Sequence, residues 1–494
     1  MGLLKFRLPP LDARRLERLK RAYVVGPDRS PFPMQVEFRG DLLVCKREAT
    51  ESGRLHVPWA VAGHGEPVLG TSTLAERPEP YDLALELARG RLCEVRDQLG
   101  DWSQLGLVVT GDLQELLARA QSAFSRAATR RDRRDEMNAA ASECLAATLQ
   151  AGRRLIDLYV GQVLQTRLAG GPSKLPTSLA CVLDCDPKGR VPVSLEAFNA
   201  ARIRCHWKFL EPDEGNPLWE RVDSQLATAR RNGMTIHAGP LIDLREEMLP
   251  DWLTLWRDDF DTILAMSVDF VKSVLMHYRG RIPVWTLVHR AGSSDAMGLS
   301  EEDQIRLTAR LLQVARQTDP GAQFLVGFDR PWAEWMTSGR FQLGPLHLAD
   351  YLARSDLGLS GIELEIAPGF GRPGSLYRDL FDFSKLLDLF ALVNLPIAVN
   401  LAIPSNSGSD PQAAPGIVVE AAEWPEPPGE ASQLQIASAW VSLAVAKPFV
   451  RSVTWSTLTD DHPHLYPFSG LHHDSTRPKQ LAAWLADFRR RLLA

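Results

Sequence analysis

Six carboxylates stand where they could do acid/base or binding chemistry: Asp243, Asp329, Glu363, Glu365, Asp460 and Asp461. Glu363 and Glu365 are two residues apart in an apolar run, so on a strand they share one face and point into the same space. A carboxylate held there must either act as acid, base or nucleophile, or find a cation. His289 and Arg290 could supply that charge, so a structural ion-pair network and a catalytic or binding role both stay open. His462, His464, His472 and His473 form a second concentration of chemistry. His-x-His can ligate a metal on a strand, but these residues lie among Pro463 and Pro467, which predicts a loop with surface or hydrogen-bonding roles and no metal.

The elements that position these groups can be read from composition and period. The 494 residues carry 56 basic and 61 acidic side chains, a formal charge of −5, and 45% are hydrophobic. That is enough for a large core plus smaller units, and it excludes a global positive field for nucleic acid or an anionic membrane. Residues 1–25 lack a continuous apolar run and no stretch reaches membrane-spanning length, which predicts a cytoplasmic protein. Six cysteines, at 45, 93, 144, 181, 185 and 205, show no Cys-x-x-Cys pair, so structural thiols are expected, with Cys181 and Cys185 buried on one face of a strand. No Gly-x-Ser-x-Gly elbow, P-loop or dinucleotide fingerprint is present, and no cofactor is expected.

Residues 1–75 read as a small β-rich unit, with a hairpin over Met34–Lys46 turning at Gly40-Asp41 and a second alternation at Leu55, Val57, Trp59 and Val61. Residues 76–172 read as helical: apolar positions recur at three- and four-residue spacing in Tyr81–Trp102 and again in Glu136–Leu168, and these two helices are expected to pack together. The mixed run Arg130–Glu136 reads as a solvated face, and Gly170-Gly171-Pro172 as a linker.

From 173 to 494 short β-type runs alternate with helical segments, the pattern of parallel strands joined by crossover helices. Eight strands are predicted: Ser178–Cys185, Ala201–Phe209, Met234–Ile242, Val284–His289, Gln323–Phe328, Leu359–Ile366, Pro396–Ile403 and Val450–Thr457. Eight is the count of a closed (β/α)8 TIM barrel, whose strand C-termini would gather the six carboxylates. Ser300 followed by Asp303 predicts a capping box at one helix start.

Particular residues in this region resemble a family. Phe198-Asn199, Trp207, Glu211-Pro212, Gly215, Trp219, Asp223, Asn232-Gly233-Met234 and Leu249-Pro250-x-Trp252-Leu253 are similar to the second and third βα units of family 10 glycoside hydrolases, the xylanases. Tyr278-Arg279-Gly280-Arg281 with Trp285, Ala315-Arg316-x-x-Asp319-Pro320, Gly361-Ile362 and the closing Trp455, Gly470-Leu471, Asp474 and Pro478-Lys479 extend the likeness over residues 176–494.

The resemblance implies a retaining endo-β-1,4-glycanase with two Glu residues about 5 Å apart, one an acid/base and one a nucleophile. At the first position the family's W-D-V-V-N-E corresponds to Trp285-Thr286-Leu287-Val288-His289-Arg290, and at the second its I-T-E-L-D corresponds to Ala398-Val399-Asn400-Leu401-Ala402. A guanidinium cannot release a proton near neutral pH and a carboxamide cannot form the sugar ester. The expectation is therefore a degenerate member: a silent barrel that binds a β-glycan or serves as a scaffold. The alternative is an atypical glycosidase using relocated acids, Glu365 first, with Asp329 or Asp460. His206, Trp207, Asp243, His289, Trp332 and Trp455 are the expected substrate contacts, and Arg290 and Asn400 should face each other across the barrel mouth.

Overall fold

The computed structural model describes residues 2–170, 173–183, 191, 193–371 and 374–494. Cys185 and the Gly171-Pro172 part of the expected linker lie outside the described residues.

Eight parallel strands close into a ring: β1 (Ser178–Val182), β2 (Ala200–Ile203), β3 (Thr235–Ala238), β4 (Val284–His289), β5 (Gln323–Phe328), β6 (Leu359–Ile366), β7 (Ile397–Leu401) and β8 (Val450–Trp455). Each pairs with the next, and β8 returns to β1 through Trp455 opposite Cys181. This is a (β/α)8 barrel. After Ala238 the third strand breaks at Gly239-Pro240 and resumes as Ile242–Asp243, which pairs with the end of β4. The strands read as near-continuous apolar runs because both faces are covered, by helices outside and by side chains inside. Among the described residues seven longer helices ring the barrel, from Glu220–Arg231 to Gln480–Leu492. The helix Glu301–Thr318 starts on the expected box: Ser300 accepts from the Asp303 amide and Asp303 accepts from the Ser300 amide.

Register places the chemistry. Asp243 lies opposite His289, and Glu365 lies opposite Asn400. The crossover helices fix these pairings from outside, so groups distant in sequence meet at the C-terminal rim.

The N-terminal chain builds two small sheets. Met34–Arg39, Leu42–Arg47 and Gly2–Arg7 pair antiparallel, and Tyr81–Asp82 adds to Gly2–Arg7 in parallel; Tyr23–Val25, Arg54–Pro58 and Val68–Gly70 form the other. Three helices follow, Leu83–Gln104, Gly111–Thr129 and Arg134–Ala169. The middle one was not expected. Its buried stripe is Leu113, Ala120, Ala123 and Ala127, and alanine gives little hydrophobic contrast to a periodicity argument.

The extension seats on the outer helices that follow β6 and β7. Val68 N–H donates to Tyr377 O (3.0 Å) and Glu66 N–H to Glu423 O (2.8 Å). Arg378 donates to Tyr23 Oη (2.7 Å) and Glu334 (2.9 Å), while Lys447 pairs with Asp388 and lies over Trp102 and Tyr159. Among the described residues no helix is long and apolar enough to cross a membrane.

Candidate functional site

The barrel mouth opens into a cleft of about 560 Å³, lined by Arg202, His206, Asp243, Arg245, His289, Glu363, Glu365 and Asn400 from the strand ends, with Gln412–Pro415 and Pro463–Tyr466 as one wall. Two layers of charge make its floor.

In the lower layer Arg202 of β2 forks onto Glu363 of β6, with Nη2 to Oε1 at 2.8 Å and Nη1 engaging Oε2. Thr286 donates to Glu363 (2.7 Å) and Asn400 Nδ2 donates to it (2.8 Å). Burial alone would raise the Glu363 carboxyl, but the Arg202 charge and these hydrogen bonds outweigh it and hold it down at about 2. A carboxyl depressed in the folded state contributes stability that is complete above its ordinary value of 4.5 and is lost as pH falls toward 2. Glu363→Gln is therefore expected to flatten the acid limb of the stability curve by about 3 kcal/mol between pH 5 and 2, read from urea midpoints.

In the upper layer Arg290 is the hub. Its Nη1 donates to Asp329 (2.7 Å), its Nη2 to Glu365 (3.1 Å), and its Nε lies 3.6 Å from Asp243. Arg245 chelates Asp243 through Nε and Nη2, Arg330 Nε donates to Asp329 (2.8 Å), and Ser293 adds a bond to Asp329 (2.7 Å). His289 Nε2 stands 3.3 Å from Glu365, whose other oxygen accepts from Tyr466 Oη. His206 Nε2 is 3.6 Å from Asp243. Burial pushes His206 down to about 4, so it is neutral; Asp243, which burial would raise, is carried well below the carboxylate range by Arg245, His206 and His289. Arg290 adopts a left-handed backbone (φ 67°), a strained state that its ion pairs and its N–H bond to Gly327 O hold in place. Gly327 is required: a Cβ there would meet the His289 ring at 2.2 Å.

Of the expected contacts, His206, Asp243, His289, Arg290, Asp329 and Glu365 meet in one network, and Asn400 belongs to the layer beneath. Four others are elsewhere. Trp207 and Trp455 are 1% exposed; the first stacks on Phe270 and donates to Glu211, the second donates to Ser469 O, so neither offers a face to a sugar. Trp332 packs on the core beneath the Arg378 guanidinium. Asp460 lies in a separate depression, 2.5 Å from Lys479 Nζ and accepting from Gly470 N–H, and is no partner for Glu365. Arg290 and Asn400 do not reach toward each other: one points across to β5 and β6, the other down onto Glu363. Arg202, Arg245, Arg330 and Tyr466 were missed. An arginine inside the apolar run Ala200–Ile203, and another two residues after Asp243, were the available signals.

Asp410, Asp460 and His464 bring side-chain atoms within 4.8 Å of one another. Lys479 already supplies the cation against Asp460, so no metal is assigned there.

A closed parallel (β/α)8 barrel with its polar groups gathered at the C-terminal rim is the class of protein defined by this fold and site. The model of the family described as glycosyl hydrolase family 10 matches residues 199–322. Over that stretch the chain is similar to family 10 glycosyl hydrolases. An endo-1,4-β-xylanase of Agaricus bisporus is 22% identical over 202 residues, 40% of this chain and 59% of the xylanase. Endo-1,4-β-xylanase B of Thermotoga neapolitana is 30% identical over 87 residues, 18% of this chain and 25% of that enzyme. The chain thus spans less than two thirds of the length of these relatives. Native xylanase 10B from Thermotoga maritima superposes with a TM-score of 0.48 at 14% identity, covering 67% of this chain and 97% of that one.

Proposed function

We propose that the barrel is a catalytically silent member of the xylanase-like group that binds a β-linked oligosaccharide in its mouth without cleaving it. The observation that carries this is the pairing of every acid at the site. Asp243, Asp329, Glu363 and Glu365 face Arg245, Arg330, Arg202 and Arg290, one guanidinium for each carboxylate. Retaining hydrolysis needs one carboxyl that is protonated near neutral pH and a second that is free to attack. Ion pairing holds a carboxyl ionised and occupies its lone pairs, which opposes both roles. Arg290 and Asn400, at the positions that resemble the family's two Glu residues, supply neither. What supports ligand binding is the open cleft, apolar in most of its lining with charged groups on its floor, and the likeness to two endo-1,4-β-xylanases. The N-terminal β-unit (1–75) and helical segment (76–172) then form an accessory module on the barrel (173–494), in a protein of the cytoplasm whose cysteines remain reduced.

The test incubates the protein with xylo-, cello- and manno-oligosaccharides, following reducing ends and binding heat together. Binding heat without new reducing ends is the expected result. One observation favours a second reading: Glu365 is the most exposed of the four acids, at 15% of its side chain, with a tyrosine hydroxyl and an imidazole against it. Turnover in the wild type that disappears in Glu365→Gln would replace the silent reading with an atypical hydrolase.

A further inference from the structure

The wall of the cleft is made by two segments that meet at a buried His–Asp pair. Gln412–Pro415 follow β7 and Pro463–Tyr466 follow β8. They are zipped by His464 N–H to Gln412 O (3.0 Å) and Ala414 N–H to His464 O (2.9 Å). The side chains of His464 and Asp410 close the same junction and are almost fully buried, at 2% and 3% exposure.

Donor and acceptor accounting then fixes the protonation of this pair. His464 Nδ1 is 2.7 Å from the carbonyl oxygen of His462, and a carbonyl oxygen only accepts, so Nδ1 carries a hydrogen. A neutral imidazole has only one N–H, which would leave Nε2 with a lone pair. Yet Nε2 lies 3.0 Å from Asp410 Oδ2. Asp410 is committed as an acceptor on both oxygens, Oδ1 from Gln412 N–H (3.0 Å) and Oδ2 from Phe468 N–H (2.8 Å). Two lone pairs at that distance repel inside a buried site, so a second hydrogen must lie between Nε2 and Oδ2, whichever atom holds it.

We propose that His464 and Asp410 form a proton-operated latch: with the extra proton the two wall segments are locked together, and its loss at higher pH releases them and opens the cleft. The groups facing the pair are Asp460 from the strand-eight loop, within 4.8 Å, and Lys479, which sits on Asp460 and on Ser405 Oγ (2.7 Å). Beyond them Glu430 begins the next helix beside His473, and Asp461 holds His462. The lysine is spent on Asp460, so it cannot substitute for the lost proton on Asp410. The consequence reaches the floor, because Tyr466 from the same wall donates to Glu365.

The latch is independent of whether the cleft holds a sugar, and its test uses the full chain without ligand. Ring-¹⁵N NMR, with His464→Gln for assignment, is expected to show both His464 nitrogens protonated while the wall is locked and one once it has released. Amide-exchange protection factors, normalised to intrinsic rates, should fall for 410–415 and 463–468 by up to tenfold per pH unit once that proton leaves, while β4 to β6 stay constant. In His464→Gln the wall should be loose at every pH. A singly protonated His464 at all pH values, wild-type protection in these segments that is flat with pH, or a wall that tightens only when Zn²⁺ is added would each overturn the proposal. The wild-type measurements decide it even if the variant fails to fold.

Discussion

Arg290→Met is expected to destabilise the barrel by about 3–5 kcal/mol, the cost of removing one partner from a buried ion-pair network and leaving its counter-charges unmatched. Arg290 is 4% exposed and bridges Asp329, Glu365 and Asp243 from three different strand ends. Asp329 would keep Arg330 and Asp243 would keep Arg245, so Glu365, left with His289 and Tyr466, carries most of the loss. Urea unfolding of the single and double variants separates this from lost packing. Arg290→Met combined with Glu365→Gln should recover a large part of the stability, since the methionine stem fills similar space and the amide needs no counter-ion. If the double variant is as unstable as the sum of the two singles, the hub has been misread.

A comparable loss, about 3–5 kcal/mol, is expected from Arg91→Leu at the seam between the extension and the barrel. Arg91 is 1% exposed, on the helix Leu83–Gln104, yet its guanidinium engages Asp379 and Asp382 (3.2 Å) at the start of the helix after β6, and covers the Phe381 ring. Glu94, one turn on, receives Arg54 (3.1 Å) and Lys385 (2.5 Å). Its carboxyl, which burial would raise, is brought down to about 2 by Lys385, Arg54 and Arg91. Removing Arg91 leaves three carboxylates within one desolvated seam. The extension should then part from the barrel before the barrel melts, giving two thermal transitions and early proteolytic cleavage near residue 170. A single unchanged transition would show that the apolar contacts of the seam suffice without the charge.

Parts of this architecture were legible because they are local. Alternation at Met34–Phe38 followed by Gly40 specifies a hairpin, and Gly40 takes the left-handed backbone (φ 62°) that the turn needs. The eight strands announced themselves as apolar runs between helical periods, although the second, expected over Ala201–Phe209, ends at Ile203 and gives way to a helical turn at Trp207–Leu210, and Ser300 with Asp303 marked a helix start. The alanine-rich helix Gly111–Thr129 was invisible to the same reasoning because burying alanine leaves little trace in hydrophobic contrast.

The site divides along the same line. Sequence alone carried the resemblance by which Arg290 and Asn400 are expected at the two acid positions, and it marked Glu363 and Glu365 as a pair on one strand face. It could not say which cation answers which carboxylate, because those choices are made across strands. Arg202 and Glu363 are separated by 161 residues and meet only when β2 and β6 close into one ring. It left Trp207 and Trp455 open between sugar contact and packing, and the structure buries both, one stacked on Phe270 and the other donating to Ser469 O. Strand propensity and period act over a few residues, whereas burial, and with it the need to neutralise every charge, is a property of the closed barrel.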